Sequence, residues 1–494
     1  MTMTMQTETL LARAAEMISA GRTGAARPVL AAARDMLAPA PRLAELFALL
    51  EMRDGNDEAA RVELDRGVAV APEHAGLRKL RAELRMRMQD LTGALDDAAA
   101  SVIQDARDPV AKALLGALLL EAGQPADALI CLREAVATQP NHAGFCQAMA
   151  AAQEALGQPE QAAETLATAI KLAPGSLALR NAAMLLAIRQ RAFERAVAVA
   201  EAARRDGTAN ASIFVLLGHA RANMGQHDAA AASYQEALKL SPDDPAVRQV
   251  AAAAGILPGV ARAPADYVRT LFDDYAPRFE GHLVGLGDRV PGLIRAALLR
   301  HRPALRPAPD EGASSGPICG PVLDLGCGTG LMATVLGDLR LHDLVGVDLS
   351  DRMLDVARAK DVYAELHAAE ICAFLAGEKR NFALILAADV LCYFGALEDP
   401  LARIAARLAP GGLCIASLEE IFLDAAAPAE GLSMDGDVEW VLGRQGRYAH
   451  RADYVAQCAL QAGLTLREVM PETLRQEGDG ALGGLVVVLE RSAT

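Results

Sequence analysis

The sequence predicts a multidomain chain: an all-α repeat solenoid followed by an α/β domain of the Rossmann-like, doubly wound kind. Three observations carry this. The first half repeats with a period of 34 residues, the second half alternates strand-like apolar runs with helical ones from Asp266 onward, and a glycine-rich turn closes the first of those runs. The length of 494 residues calls for at least two domains. Hydrophobic residues make up 52% of the chain but aromatics only 4%, and alanine fills the difference, as in closely packed helices.

The repeat is read from small residues. Gly21, Gly55, Gly123, Gly157 and Gly225 are spaced by multiples of 34, and five residues after each phase point an alanine recurs without a gap, at Ala26, Ala60, Ala94, Ala128, Ala162, Ala196 and Ala230. A larger residue recurs at Leu30, Leu64, Leu132, Leu166 and Tyr234, and a proline at Pro72, Pro140, Pro174 and Pro242. A glycine accepts the positive φ that ends a helix, an alanine lets two helices approach, and a proline stops the second helix of each unit. Gln89 and Arg191 break the pattern at the glycine phase. The period and residue types resemble the tetratricopeptide repeat, a helix–turn–helix of 34 residues. Seven units span residues 7–244 and a capping helix at 244–255 closes a solenoid of 7–255, before a Pro/Gly-containing linker at 256–265.

A solenoid of this family implies a concave face for a protein or peptide partner, with a rigid spacer or dimerisation arm as the alternative. The groove positions, among them Lys79, Glu83, Gln147, Asn181 and His219, do not reproduce the Lys and Asn set with which some members grip a terminal carboxylate. Carboxylate capture is therefore not expected.

In the second half, residues 321–330 (PVLDLGCGTG) read as a strand running into a glycine-rich turn, and 331–339 as a helix. Strands at 342–350, 363–371, 381–391 and 413–419 alternate with helices at 352–360 and 401–412, which implies a mostly parallel sheet with a ligand at the C-terminal strand ends. Gly326, Gly328 and Gly330 let a ligand lie against bare backbone at a helix N-terminus. The dinucleotide pattern GxGxxG fails at Leu331, and no P-loop is present. Asp348, 18 residues beyond Gly330 at the end of the next strand, suits the two ribose hydroxyls of an adenosine; the alternative is an N-cap for the helix from about residue 351. Asp324, inside the first strand, needs a partner there.

VLDLGCGTG together with VGVDLS resembles the class I S-adenosylmethionine-dependent methyltransferases, over residues 266–494. The resemblance implies S-adenosyl-L-methionine as cofactor. It implies that Gly326, Cys327 and Gly328 contact the methionine portion through backbone, that Asp324 lies near its amino group, that Asp348 binds the ribose, and that Gly330 and Leu349 also belong to the cofactor-binding set. Glu370 and Ile371 would flank the adenine, and Ala388 and Asp389 would close the pocket. Residues 267–294 and 447–469 further resemble a bacterial group that joins tetratricopeptide repeats to a methyltransferase of the small-molecule type. That implies a helical lid at 266–300 over a core at 322–494, with Tyr275, Phe279 and His282 facing the pocket; residues 301–321, rich in Pro, Gly and Ser, read as a flexible insertion between the two. Tyr275 and His450 become the candidate catalytic side chains, and Tyr448 and His450 are expected on a loop near the transferred methyl.

Composition narrows the substrate. The formal net charge is −15, and residues from 266 onward carry 21 basic against 33 acidic side chains, which argues against a nucleic-acid substrate. The residues after the fourth strand, AADVLCYF, lack the Asn/Asp-Pro-Pro-aromatic motif associated with methylation of a planar amide or nucleobase nitrogen. The eight cysteines are scattered, with neither disulfide spacing nor a metal-ligand cluster. No secretory signal and no membrane-length apolar run is read, so a cytoplasmic location is expected. The functional expectation is methyl transfer to a small-molecule or protein acceptor, with the repeats recruiting substrate or partner. The alternative is a repeat scaffold whose methyltransferase-like domain binds cofactor but is structural or sensory.

Overall fold

The computed structural model describes residues 3–36, 40–305, 320–339, 341–421, 438–477 and 480–493, so the insertion expected at 301–321 falls largely outside the described residues. The chain divides into two compact units, Met1–Ala209 and Asn210–Thr494.

The first unit consists of helix pairs: α1 (Met3–Ser19) with α2 (Thr23–Met36), α3 (Pro41–Arg53) with α4 (Asp57–Val70), and α5 (Ala75–Arg87) with α6 (Leu91–Gln104). They are followed by α7 (Pro109–Glu121) with α8 (Pro125–Thr138), α9 (Ala143–Ala155) with α10 (Pro159–Leu172), and α11 (Leu177–Arg189) with α12 (Phe193–Arg205). Each first helix ends in a left-handed residue whose following neighbour bonds back to the helix, as Asn56 N–H does to the Glu51 carbonyl at 2.8 Å. Gln89 (φ 63°) and Arg191 (φ 56°) take this same conformation although they carry side chains, so the turn geometry is kept where its glycine is absent. The start of the first helices is also periodic. His74, Asp108, His142 and Ser176, 34 residues apart, each accept a backbone N–H from the first turn that follows. The recurrent alanines are fully buried between helices, and each pair shares its core with the next, as Ala60 and Leu64 of α4 do with Leu77 and Leu84 of α5.

The second unit opens with a pair of the same design, α13 (Ala211–Asn223) and α14 (His227–Leu240), capped by α15 (Pro245–Ala253). Next come α16 (Ala265–Tyr275), α17 (Phe279–Gly285) and α18 (Val290–His301). The sheet domain then runs β1 (Val322–Leu325), α19 (Leu331–Val335), β2 (Leu344–Asp348), α20 (Asp351–Ala359), β3 (Glu365–Ala368), α21 (Ile371–Gly377), β4 (Phe382–Ala387), α22 (Glu398–Arg407) and β5 (Leu408–Glu420). It closes with β6 (Trp440–Leu442), β7 (Tyr448–His450), α23 (Ala452–Gln461), β8 (Leu464–Glu477) and β9 (Gly480–Arg491).

Strands β3-β2-β1-β4-β5 are parallel; β9 pairs antiparallel to β5 and carries β8 on its other edge, while β7 and β6 branch from the far end of β5. Alternate residues of each inner strand enter opposite cores. In β5, Cys414, Ala416 and Leu418 face α21, α22 and α23, whereas Leu413 and Ile415 face α18 and α19. The chain leaves β1 toward β2 and returns through β4, so a crevice opens at the C-terminal ends of β1 and β4, the usual ligand position in such sheets. The segment expected as a linker is fastened to this domain: Ala263 N–H donates to the Tyr393 carbonyl at 2.9 Å, and the Tyr448 hydroxyl donates to the Val260 carbonyl at 2.7 Å.

Candidate functional site

The crevice is a cavity of about 400 Å³ within the second unit. Its base is the loop between β1 and α19, where Gly326, Gly328 and Gly330 all have positive φ. A Cβ on Gly326 would stand 1.8 Å from Val390 Cγ2, so only glycine lets the loop pass the segment after β4. Cys327 N–H donates to the Val347 carbonyl at 3.0 Å, and Gly328 N–H donates to Asp348 Oδ2 at 2.9 Å, which ties the loop to the end of β2.

Asp348 lines the cavity, and its Oδ1 accepts Ser350 N–H at 2.8 Å. The N-cap of α20 is Ser350, whose hydroxyl oxygen accepts Met353 N–H at 3.1 Å, so the Asp348 carboxylate is free of the capping task. Burial pushes its carboxyl above the ordinary value, against the backbone donors it accepts. Leu349, Ile371, Ala388 and Asp389 also line the cavity. Glu370 lines it too, but its carboxylate caps α21, accepting Cys372 N–H at 3.0 Å and Ala373 N–H at 2.9 Å.

Asp324, Cys327 and Gly330 lie beneath this surface and are not among its lining residues. Asp324 is buried, with Oδ2 accepting the Tyr363 hydroxyl at 2.7 Å and Oδ1 without a partner. Burial, aided by the nearby Asp348 charge and opposed by Tyr363, pushes its carboxyl up to about 7. The Cys327 thiol is buried beside β2 and held well above the ordinary thiol range.

The roof of the cavity comes from α16 and α17: Phe272, Tyr275, Phe279 and His282 line it, and the Tyr275 hydroxyl is paired with His282 Nδ1. The opposite wall is ionic. Arg475 of β8 donates to Asp389 Oδ2 at 2.8 Å, Glu477 Oε1 at 3.0 Å and Glu419 Oε1 at 3.1 Å. Arg447 pairs with Glu419 and Glu477 and donates to Gln445 Oε1 at 2.6 Å. Asp389 itself is left-handed (φ 54°). Its N–H donates to the Ser417 hydroxyl at 2.8 Å, and that hydroxyl donates back to Oδ1 at 3.0 Å.

Against known proteins, a family described as a methyltransferase domain matches residues 289–469, and two tetratricopeptide repeat families match residues 119–187 and 211–244. The chain joins tetratricopeptide repeats to a methyltransferase domain. None of the curated proteins compared matches it. Among solved structures it resembles a tetratricopeptide repeat protein from Parabacteroides merdae, at 16% identity over 50% of this chain and 97% of that one, with a TM-score of 0.39. Pseudomonas aeruginosa pilF is similar at 18% identity over 41% and 93% of the two chains, with a TM-score of 0.36. The C-terminal part of a repeat-containing protein from Cytophaga hutchinsonii is similar at 11% identity over 48% and 98%, with a TM-score of 0.39.

Within the methyltransferase domain, Tyr448 and His450 are placed differently from the expectation of an active-site loop. Both lie on β7 and are fully buried. Nε2 of His450 is 2.8 Å from the Phe394 carbonyl and 3.1 Å from the Gly395 carbonyl, so it must carry the hydrogen. Nδ1 has no partner, and burial pushes the imidazole down to about 4, against those two carbonyls. A neutral ring locked between strands does not reach the cavity. The functional candidates that sequence reasoning missed are Arg447, Arg475, Glu477 and Gln445, together with Arg262 and Ala263 of the supposed linker. For Arg475 and Glu477 the local signal is weak: β8 changes register at Leu466/Glu468 and at Thr473/Arg475, which breaks the period-two pattern that marks a strand.

Proposed function

We propose that the cavity binds S-adenosylmethionine and that the chain is a class I methyltransferase acting on a small-molecule or protein acceptor. The observation that carries this reading is Asp348. Each of its oxygens accepts one backbone N–H and keeps lone-pair capacity toward the cavity, which suits the vicinal hydroxyls of a ribose. The residues present fit the cofactor further. Gly326 and Gly328 offer side-chain-free backbone to its amino-acid end, while Leu349 and Ile371 offer apolar faces to a purine. Glu370, with both oxygens engaged by helix N–H groups, shapes the purine end through its backbone.

When bound, the cofactor supplies an already activated sulfonium methyl, so the chain's own task is to position the acceptor and exclude water. The aromatic roof of Phe272, Tyr275 and Phe279 serves exclusion. The Tyr275–His282 pair is the group placed to take a proton from an acceptor that carries one at neutral pH, and it replaces His450 in that role. The Arg447/Arg475 wall, held in register by three carboxylates, orients the acceptor. The repeats recruit a protein or peptide partner, the common use of such solenoids.

Calorimetric titration of the full chain with S-adenosylmethionine and S-adenosylhomocysteine tests the reading. Micromolar binding of both supports it, and no binding to folded protein refutes it. Binding without methyl transfer to any component of a cell extract would favour the scaffold alternative.

A further inference from the structure

The lid touches the two cofactor loops through its own polar side chains, not only through the aromatic roof. In α17, Phe279 and Glu280 lie over consecutive residues of the glycine loop. The Phe279 ring would be 3.8 Å from a Cβ on Gly328, and Glu280 Oε1 accepts the hydroxyl of Thr329 at 2.6 Å. The same carboxylate oxygen pairs with the ammonium of Lys360, at the C-terminus of α20. In α16, Asp273 Oδ1 accepts the Ser350 hydroxyl at 2.6 Å, two residues beyond Asp348. Thr329 and Ser350 are both buried, and each hydroxyl donates to a carboxylate carried by the lid. Burial pushes the Glu280 carboxyl upward, but Lys360 and Thr329 outweigh it and hold the group below its ordinary value.

We propose that Glu280 is a positioning residue: it latches the lid onto Thr329 and Lys360 and thereby sets how slowly a bound nucleoside leaves the cavity. The inference rests on the nucleoside reading of the cavity given above. The physical basis is that one ionised oxygen serves two donors from separate elements, the glycine loop and α20, and charge-assisted bonds of this kind are about twice as strong as neutral ones. Phe279, beside Glu280, and Gly328, beside Thr329, both line the cavity, so the latch acts on a ligand there through these neighbours.

The test uses the full chain. Stopped-flow displacement of S-adenosylhomocysteine is compared for the parent, Glu280→Ala, Glu280→Gln and Lys360→Met. The dissociation rate is expected to rise about tenfold in Glu280→Ala with little change in association rate. Glu280→Gln, which can still accept from Thr329, recovers part of the loss. Added salt is expected to speed release from the parent but not from Lys360→Met. Unchanged dissociation in both Glu280 variants would overturn the latch. A second readout needs no ligand: amide exchange across residues 265–285 is expected to quicken in Glu280→Ala while β1, β4 and β5 stay protected, and equal exchange there counts against the proposal. Failure of the parent to bind S-adenosylhomocysteine would instead overturn the nucleoside reading.

Discussion

The Asp348 carboxylate accepts the Gly328 backbone N–H at 2.9 Å, joining the end of β2 to the glycine loop after β1. One side chain thus shapes the loop and presents itself to the cavity. Asp348→Asn is expected to weaken S-adenosylhomocysteine binding about tenfold and Asp348→Ala about 100-fold, the range for losing hydrogen bonds to a charged group. Calorimetry on variants with parental circular dichroism makes the measurement. Equal affinity in Asp348→Ala would place the nucleoside elsewhere.

Gln89 and Arg191 occupy a left-handed position that glycine fills in the other repeats. A side chain there costs roughly 1–2 kcal/mol, partly offset because glycine loses more entropy on folding. Gln89→Gly and Arg191→Gly are each expected to stabilise the chain by about 0.5–1 kcal/mol. Gly123→Ala should destabilise it by about 1 kcal/mol, although nothing lies within 4 Å of the added methyl. Thermal melts followed at 222 nm on these three variants check both signs.

Asp324 has a folded-state pKa of about 7, above the ordinary carboxylate value of about 3.9. A raised acid contributes stability that is fully present below the unfolded value and is lost as pH rises through the folded one. Between pH 4 and 7 the parent is therefore expected to lose stability relative to Asp324→Asn. Trp440, the only tryptophan, lies in β6 and reports on this domain. Urea unfolding followed by its fluorescence at pH 5 and pH 8 should show the stability of the parent falling relative to that of Asp324→Asn at the higher pH. A constant gap would mean that Asp324 does not titrate in this interval.

The compact division falls at Ala209/Asn210, and the seventh helix pair and its cap belong with the sheet domain. Gln249 of α15 is buried and donates to the Gly446 carbonyl at 3.4 Å. A chain beginning at residue 210 is expected to unfold cooperatively and bind S-adenosylhomocysteine as the parent does. Beginning at residue 256 removes the Gln249–Gly446 hydrogen bond and the packing of α15 against α16, and should lower stability by about 1 kcal/mol or more. Parallel Trp440 unfolding curves compare the two, and equal stability would show the cap to be independent of the domain.

The sequence by itself determined the two architectures, the phase of every repeat, and the loop-and-carboxylate pair formed by Gly326, Gly328 and Asp348. These are local features: a helix or strand period, a residue needed for positive φ, an acid at a strand end, each legible within a few turns of chain. Tertiary structure alone decided that Ser350 and not Asp348 caps α20, that Glu370 spends its carboxylate on α21, and that His450 is sealed between carbonyls. It also decided that Arg475 meets Asp389 across 86 residues, and that residues of the expected linker line the cavity. The physical reason is that an ion pair or a buried ring depends on what the sheet order brings alongside it. In this domain β5, β7, β8 and β9 converge from separate stretches of chain, and only their pairing shows which charges share a wall.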